Sequence, residues 1–245
     1  MDEARAKQLA ASVARVAISI DGCDADTHDL VRGRPGSFER AIQALRVLAT
    51  VKQARLAASE PCCLFGIDYT VTRTGLGDFE RFVSEMSLQF PNLDFIRFGA
   101  VVPVGLAQEE RFVERELLTY EELDSLAALQ TKLAEQAPRA VEVVVDDARR
   151  FLPGASLGGV HAPVAHIEPD GQMRAFTNYE AKVGNVLQEP FDLLQRRALE
   201  WRADPFVCDS LADVHTFEDW AAVTRLLDRR YASEEDRSRL ARRAG

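Results

Sequence analysis

The sequence predicts an α/β protein built on parallel strands, and three observations predict it. Four runs rich in β-branched and aromatic residues, near 15–20, 63–71, 95–102 and 140–145, are separated by stretches with apolar residues at helical spacing. Those stretches are long enough to act as crossovers, which join parallel strands right-handedly. From about Arg149 the pattern changes to Gly- and Pro-rich segments around a Pro-Asp-Gly turn, so a small α+β region follows the sheet.

Residues Ala4 to Val13 carry Ala, Leu and Val at helical spacing, with Asp2 and Glu3 at the electrostatically favoured N-terminal end. The first strand, about Arg15 to Ile20, is nearly all apolar, which predicts cover on both faces. It stops at Asp21-Gly22, and a polar loop holding His28, Arg32 and Arg34 is expected next. Pro35-Gly36 leads into a helix with Ser37 as N-cap and Phe38, Ile42, Leu45 and Leu48 as its buried stripe. The second strand, Cys63 to Val71, runs into the loop 72–77. Asp78 then starts a helix striped by Phe79, Phe82, Val83 and Met86, which Pro91-Asn92 ends. The third strand, Phe95 to Val102, precedes Pro103-Val104-Gly105 and a charged loop. Thr119 opens a long helix with Leu123, Leu126, Leu129 and Leu133 in register; Pro138 stops it, and Ala140 to Val145 is the fourth strand. Four strands are too few to close an eight-stranded barrel, so residues 1–148 read as a partial, incomplete parallel β/α barrel.

Residues 149–212 form the α+β extension. In it, Ala162 to Glu168 and Gln172 to Asn178 flank the turn Pro169-Asp170-Gly171 as a hairpin, Gly184-Asn185-Val186 follows, and Phe191 to Trp201 is a short helix. Residues 213–245 hold a last helix, Phe217 to Tyr231, and a charged tail from Ser233 that is expected to fray.

Composition narrows the function. A net charge of −9 opposes nucleic-acid binding, which depends on neutralising phosphates. No apolar run approaches the ~20 residues that span a bilayer. The charged N-terminal stretch has no apolar signal core, which predicts a cytoplasmic protein. The four cysteines, Cys23, Cys62, Cys63 and Cys208, have no Cys-x-x-Cys spacing, so reduced thiols are expected and no zinc or iron–sulfur site can be assembled from them. No catalytic residue and no metal ligand is assigned.

One block is more specific. Ile18 to Gly22 (ISIDG), His28 to Gly33 (HDLVRG) and Pro35 to Phe38 (PGSF), followed by a helix, resemble the radical S-adenosylmethionine (SAM) superfamily. The match is to the fourth barrel strand of members that carry a SPASM-type extension. The segment His166 to Gly171 with Gly184-Asn185-Val186 is similar to that extension, which normally holds auxiliary iron–sulfur clusters. The resemblance implies that Ser19 and Asp21 lie near the cofactor's methionine and ribose portions. Arg32 and Arg34 are either surface charges or forks for a carboxylate or phosphate, and Arg32, inside the matching block, is the third cofactor-binding candidate. The resemblance also implies a first strand followed by Cys-x3-Cys-x2-Cys, whose thiolates hold a [4Fe–4S] cluster, and that motif does not occur here. Phe176 stands where the extension would place a cluster cysteine, and the loop Ala155 to Gly159 has no thiol.

The first three barrel strands are therefore expected to be absent. The chain is expected to be a truncated radical-SAM/SPASM-like protein, not competent for radical chemistry alone, acting as a pseudoenzyme or partner subunit. No cofactor is expected on this chain alone; S-adenosylmethionine and [4Fe–4S] would need the missing part. One alternative is the C-terminal part of a split radical SAM enzyme that modifies a peptide or small metabolite. Another is a binding module for a small anionic ligand. A protein partner or a second copy is expected to cover the exposed edge of the first strand. Arg97, mid-strand, is either a substrate anchor facing the barrel lumen or a paired structural arginine. His28 is expected to hydrogen-bond within its loop, and His161 and His166 to lack the further ligands a metal needs.

Overall fold

Alternation of apolar and polar residues along four strands decides the architecture. The computed structural model describes residues 1–138, 140–152 and 165–244, in two units: Met1–Val101 with Leu118–Asp147, and Val102–Leu117 with Ala148–Gly245. Unit 1 runs α1 (Glu3–Ser12), β1 (Arg15–Ile20), α2 (Ala25–Arg32), α3 (Ser37–Ala57), β2 (Leu64–Val71), α4 (Phe79–Gln89) and β3 (Phe95–Ala100). Past α5 (Glu110–Glu116), which belongs to unit 2, it continues through α6 (Tyr120–Ala128), α7 (Gln130–Gln136) and β4 (Glu142–Asp146).

The four strands form one parallel sheet in the order β1-β2-β3-β4. Right-handed crossovers that always step in one direction place their helices on one face of such a sheet. The register agrees. Ile18 pairs with Ile67, Ile67 with Ile96 and Ile96 with Val143, and the rows beside them hold Ile20, Tyr69, Phe98 and Val145. On this face Tyr69, Phe79, Phe82 and Phe98 pack with ring centroids 5.1–6.2 Å apart. Burying each such ring contributes about 2–3 kcal/mol. The opposite face carries the rows Ala17–Gly66–Phe95–Glu142, Ser19–Asp68–Arg97–Val144 and Thr70–Gly99–Asp146. It is polar and half-exposed. At the amino ends of its strands the Phe95 ring lies across Gly66, where an added Cβ would come within 2.6 Å of it, and the Arg15 guanidinium sits 3.5 Å above the ring centroid.

Several expectations are corrected here. β1 is covered on one face only, because Arg15, Ala17 and Ser19 point to the open side; small Ala and Ser in an apolar run mimicked a fully buried strand. The expected polar loop is helix α2. Asp24 caps it by accepting the Thr27 N–H at 2.8 Å, and Gly33, at φ +58°, closes it in the left-handed conformation. Ser37 is not the N-cap of α3; Gly36 occupies that position without a side-chain bond. Asp29 of α2 supplies the cap instead, accepting the Ser37 hydroxyl and the Phe38 N–H, each at 2.8 Å, and the Gly36 N–H. The charged loop after β3 contains α5, and the long helix breaks at Leu129 into α6 and α7. Gln130, just past that break, covers the edge of β4: its Nε2 donates to the Val143 carbonyl at 2.8 Å, and its Oε1 accepts the Val145 N–H at 2.5 Å.

Unit 2 contains β5 (Gln172–Arg174), β6 (Lys182–Asn185), α8 (Phe191–Arg202), α9 (Pro205–Ala212), α10 (Phe217–Tyr231) and α11 (Glu234–Ala244). Its apolar centre includes Tyr179, Val207 and Leu227, with Trp220 fully buried. The Asp170-Gly171 turn lies where the sequence predicts it, with Gly171 at φ +87°. The expected hairpin forms over a short span, with the Glu168 N–H donating to the Gln172 carbonyl at 2.8 Å, the Arg174 N–H to the His166 carbonyl at 2.9 Å and Ile167 bridging Met173, while Gln172–Arg174 also pairs antiparallel with Lys182–Asn185. Residues 162–164 of the expected hairpin, the loop 155–159 and His161 lie outside the described residues. The tail expected to fray is helix α11. Ser233 Oγ accepts the Asp236 N–H at 3.0 Å, and Lys182 and Arg239 both pair with the Asp236 carboxylate, so charge pairing replaces the apolar stripe that the sequence lacks. Among the described residues no helix is long and apolar enough to cross a membrane.

Candidate functional site

The carboxyl ends of parallel strands are where α/β sheets build ligand sites, and here that end of β1 is tightly constructed. The Asp21 N–H donates to His28 Nδ1 at 3.0 Å, which places the imidazole proton on Nε2. Burial lowers the pKa of His28, and Arg32 pushes it the same way against the opposing pull of Asp21, so the ring is a neutral acceptor. His28 also packs edge-on against Phe38, with centroids 5.6 Å apart. From β2 the loop closes over Asp21. Thr72 Oγ1 accepts the Gly75 N–H at 3.0 Å, and the Tyr69 hydroxyl donates to the Gly75 carbonyl at 2.8 Å. A Cβ on Gly75 would stand 2.8 Å from the Asp21 carbonyl oxygen, so a side chain there would push the loop off the strand end.

The Asp21 carboxylate held in this way is 4% exposed. Its Oδ2 is ion-paired with Arg32 Nε, while its Oδ1 is buried without a hydrogen-bond partner. A buried acceptor left open calls for a donor. Arg32 keeps 42% of its side chain exposed, so its distal nitrogens can still bind an anion. Ser19 is exposed on the open side of β1 and precedes Asp21 by two residues.

The structure thus brings Asp21 and Arg32 into contact and sets Ser19 on the adjoining face; Arg34 is exposed beyond the end of α2. His28, expected to hydrogen-bond within its loop, does so from a buried position on α2. His166 is half-buried, and its carbonyl accepts the Arg174 N–H at 2.9 Å. Phe176 joins an aromatic cluster, 6.1 Å from the Tyr179 ring and with the Arg202 guanidinium 4.6 Å above it. Cys23 Sγ lies 3.5 Å from the Tyr69 hydroxyl, and burial raises its pKa, so it is a neutral thiol. A cavity of about 150 Å³ beside Cys23 is lined by Asp24, Leu76, Asp78 and Arg81 and by none of Ser19, Asp21 and Arg32.

Sequence reasoning missed Asp68 and Asp146. Asp68 stands beside both Ser19 and Arg97 in register, and Arg97 Nε lies 3.5 Å from Asp146 Oδ2. The only available signal was an acidic residue inside a strand, which strands disfavour.

No family model matches this chain. It is 31% identical over 149 residues to the AdoMet-dependent heme synthase of Methanosarcina barkeri (strain Fusaro), an alignment covering 59% of this chain and 39% of that protein. It is 39% identical over 74 residues to the AdoMet-dependent heme synthase of Nitratidesulfovibrio vulgaris (strain Hildenborough), covering 30% of this chain and 17% of that one. The chain spans less than half the length of these curated relatives. Both similarities support a relationship to the radical SAM superfamily at modest identity.

Proposed function

We propose that the sheet of unit 1 is one side of a radical-SAM-type β/α barrel, and that Ser19, Asp21 and Arg32 hold the S-adenosylmethionine of an AdoMet-dependent enzyme related to the heme synthases. The observation that carries this reading is Asp21. It is a carboxylate at a strand's carboxyl end, clamped from two sides, with one oxygen on Arg32 and the other buried without a donor. A polyhydroxylated or amino-bearing ligand supplies that donor, and the exposed tip of Arg32 takes its carboxylate. Bound there, S-adenosylmethionine supplies an activated methyl or adenosyl group. This chain's residues orient it and exclude water from the Asp21 side.

The iron–sulfur cluster that radical chemistry on this cofactor requires does not fit the residues present. The four cysteines lack the spacing that holds a cluster, and among the described residues no group of three or more His, Cys, Asp or Glu is placed for a metal. In this reading the polypeptide is silent in radical chemistry on its own, and the cluster thiolates come from elsewhere. Unit 2 corresponds to a SPASM-like extension in which the Phe176 aromatic cluster replaces auxiliary iron–sulfur ligation. The edge of β1, which pairs with no strand other than β2 among the described residues, is where a partner strand adds.

Calorimetric titration of the purified chain with S-adenosylmethionine tests the cofactor assignment. Saturable heat is expected in the wild type, about tenfold weaker binding in Asp21→Ala and Arg32→Gln, and no reductive cleavage under dithionite. Absence of heat at millimolar ligand, or binding that Asp21→Ala leaves intact, would sink it.

A further inference from the structure

The open face of the sheet carries a second polar group that the cofactor reading does not use. Asp68 and Arg97 are register partners on adjacent parallel strands, in the row that begins with Ser19. Neither is satisfied. Asp68 Oδ1 is buried and accepts no hydrogen bond, and Arg97 Nε is buried and donates none, since its 3.5 Å approach to Asp146 is an ionic contact beyond hydrogen-bond range. Polar groups left open in mid-strand need a cause. The rest of the Arg97 side chain is 40% exposed, so its distal nitrogens reach the open side. The terminal torsion of an aspartate is soft, so either Asp68 oxygen can turn there too. One row up, between Thr70 and Asp146, Gly99 leaves room: the closest atom to an added Cβ is Asp146 Cβ, at 4.0 Å.

We propose that Asp68, Arg97 and Asp146 form a ligand subsite for the zwitterionic amino-acid group, an ammonium beside a carboxylate. The charge pattern selects this class. A lone anion drawn to Arg97 meets carboxylates on both neighbouring strands, and a lone cation drawn to Asp68 meets the guanidinium. A zwitterion satisfies both: its ammonium donates to Asp68, and its carboxylate accepts from the fork of Arg97, which Asp146 orients. Adjacent strands lie about 4.8 Å apart, a span that an α-amino acid bridges between the two side chains. The subsite is independent of the assignment at Asp21, although the same chemistry is present in the methionyl portion of S-adenosylmethionine.

Saturation-transfer NMR on the full chain with L-alanine as probe tests the subsite, with acetate and ethylamine as half-ligands. Alanine signals are expected in the wild type, with acetate and ethylamine at least about tenfold weaker. Arg97→Gln removes the fork, and Gly99→Val fills the open space without altering any charged group; each is expected to weaken the alanine signal about tenfold. Gly99 does not use a positive φ, so the valine is conformationally tolerated, and an unchanged circular dichroism spectrum confirms the fold. Asp21→Ala leaves alanine binding intact while weakening S-adenosylmethionine, which separates the two sites. Loss of S-adenosylmethionine binding in Gly99→Val, with alanine never bound, would make this the cofactor's own methionyl pocket and overturn the proposal. So would acetate binding as well as alanine, or alanine binding unaffected by both variants.

Discussion

One charge network in unit 2 and three charged residues in unit 1 are completed in opposite ways. In unit 2, Arg174 bonds Glu168 at 2.7 Å and Glu180 at 3.0 Å, Lys182 bonds Asp236 at 2.8 Å, and Arg239 bonds Glu180 at 2.7 Å. Both carboxylate oxygens of Glu168, Glu180 and Asp236 accept from a donor; the Arg239 Nε–H is the buried donor of this network left without a partner among the described residues. Burial alone would raise the Glu168 pKa, yet hydrogen bonds from Arg174 and Lys182 hold it below the usual carboxylate range. In unit 1, Asp21, Asp68 and Arg97 each leave a buried atom open. A saturated network fixes local structure, whereas an open one is poised for something else to complete it. The contrast separates structural charge from site charge without reference to any relative.

The largest expected effect breaks the saturated side. Arg174→Met takes one of two cationic partners from each of two mostly buried carboxylates, Glu168 and Glu180, and is expected to destabilise unit 2 by about 3–4 kcal/mol. Both tryptophans, Trp201 and Trp220, lie in unit 2, so urea unfolding followed by their fluorescence reads it directly; a loss under about 1 kcal/mol would remove the distinction.

Next is Asp228, which accepts the Glu180 N–H and the Gln108 side-chain amide, each at 2.9 Å. Burial raises its pKa to about 6. A folded pKa above the unfolded one means the native state binds the extra proton. The stabilisation is complete below about pH 4 and is lost as pH rises through about 6, an effect of roughly 3 kcal/mol. Asp228→Asn is expected to flatten that dependence, leaving the variant more stable than the wild type at neutral pH in the same fluorescence assay.

A smaller effect is expected at Gln130. Its alanine variant uncovers the β4 edge and costs about 1 kcal/mol, read by circular dichroism because unit 1 has no tryptophan.

The smallest effect sharpens the contrast. Asp68→Asn is expected to change stability by no more than about 0.5 kcal/mol, or to raise it, while abolishing the alanine signal. A large destabilisation there would turn Asp68 into a structural charge.

Much of the fold was legible because periodicity is local. The stripe of Phe79, Phe82, Val83 and Met86 and the run Phe95 to Ala100 identify their elements from a few neighbouring residues. The helix α2 was not legible, since eight mostly polar residues carry too short a pattern and the decisive signals, Asp24 and Gly33, are single residues. Nor was β6 as a second partner of β5, because the turn at Gly171 names only the nearer flanking segment and carries nothing about a strand that returns from Lys182. Of the site, the block around Ser19, Asp21 and Arg32 stood out as a motif, but the opposition of Asp68 and Arg97 depends on register between strands 29 positions apart, which no local pattern carries.

The stack of Arg15 on Phe95 on Gly66 has a directional consequence. It fills the amino end of the open face with an aromatic ring and a guanidinium stacked on it, so Ser19, Asp68 and Arg97 make the first polar row above that apolar base. Enlarging Gly66 would lift the ring toward that row, which ties the shape of the polar face to a residue that carries no side chain.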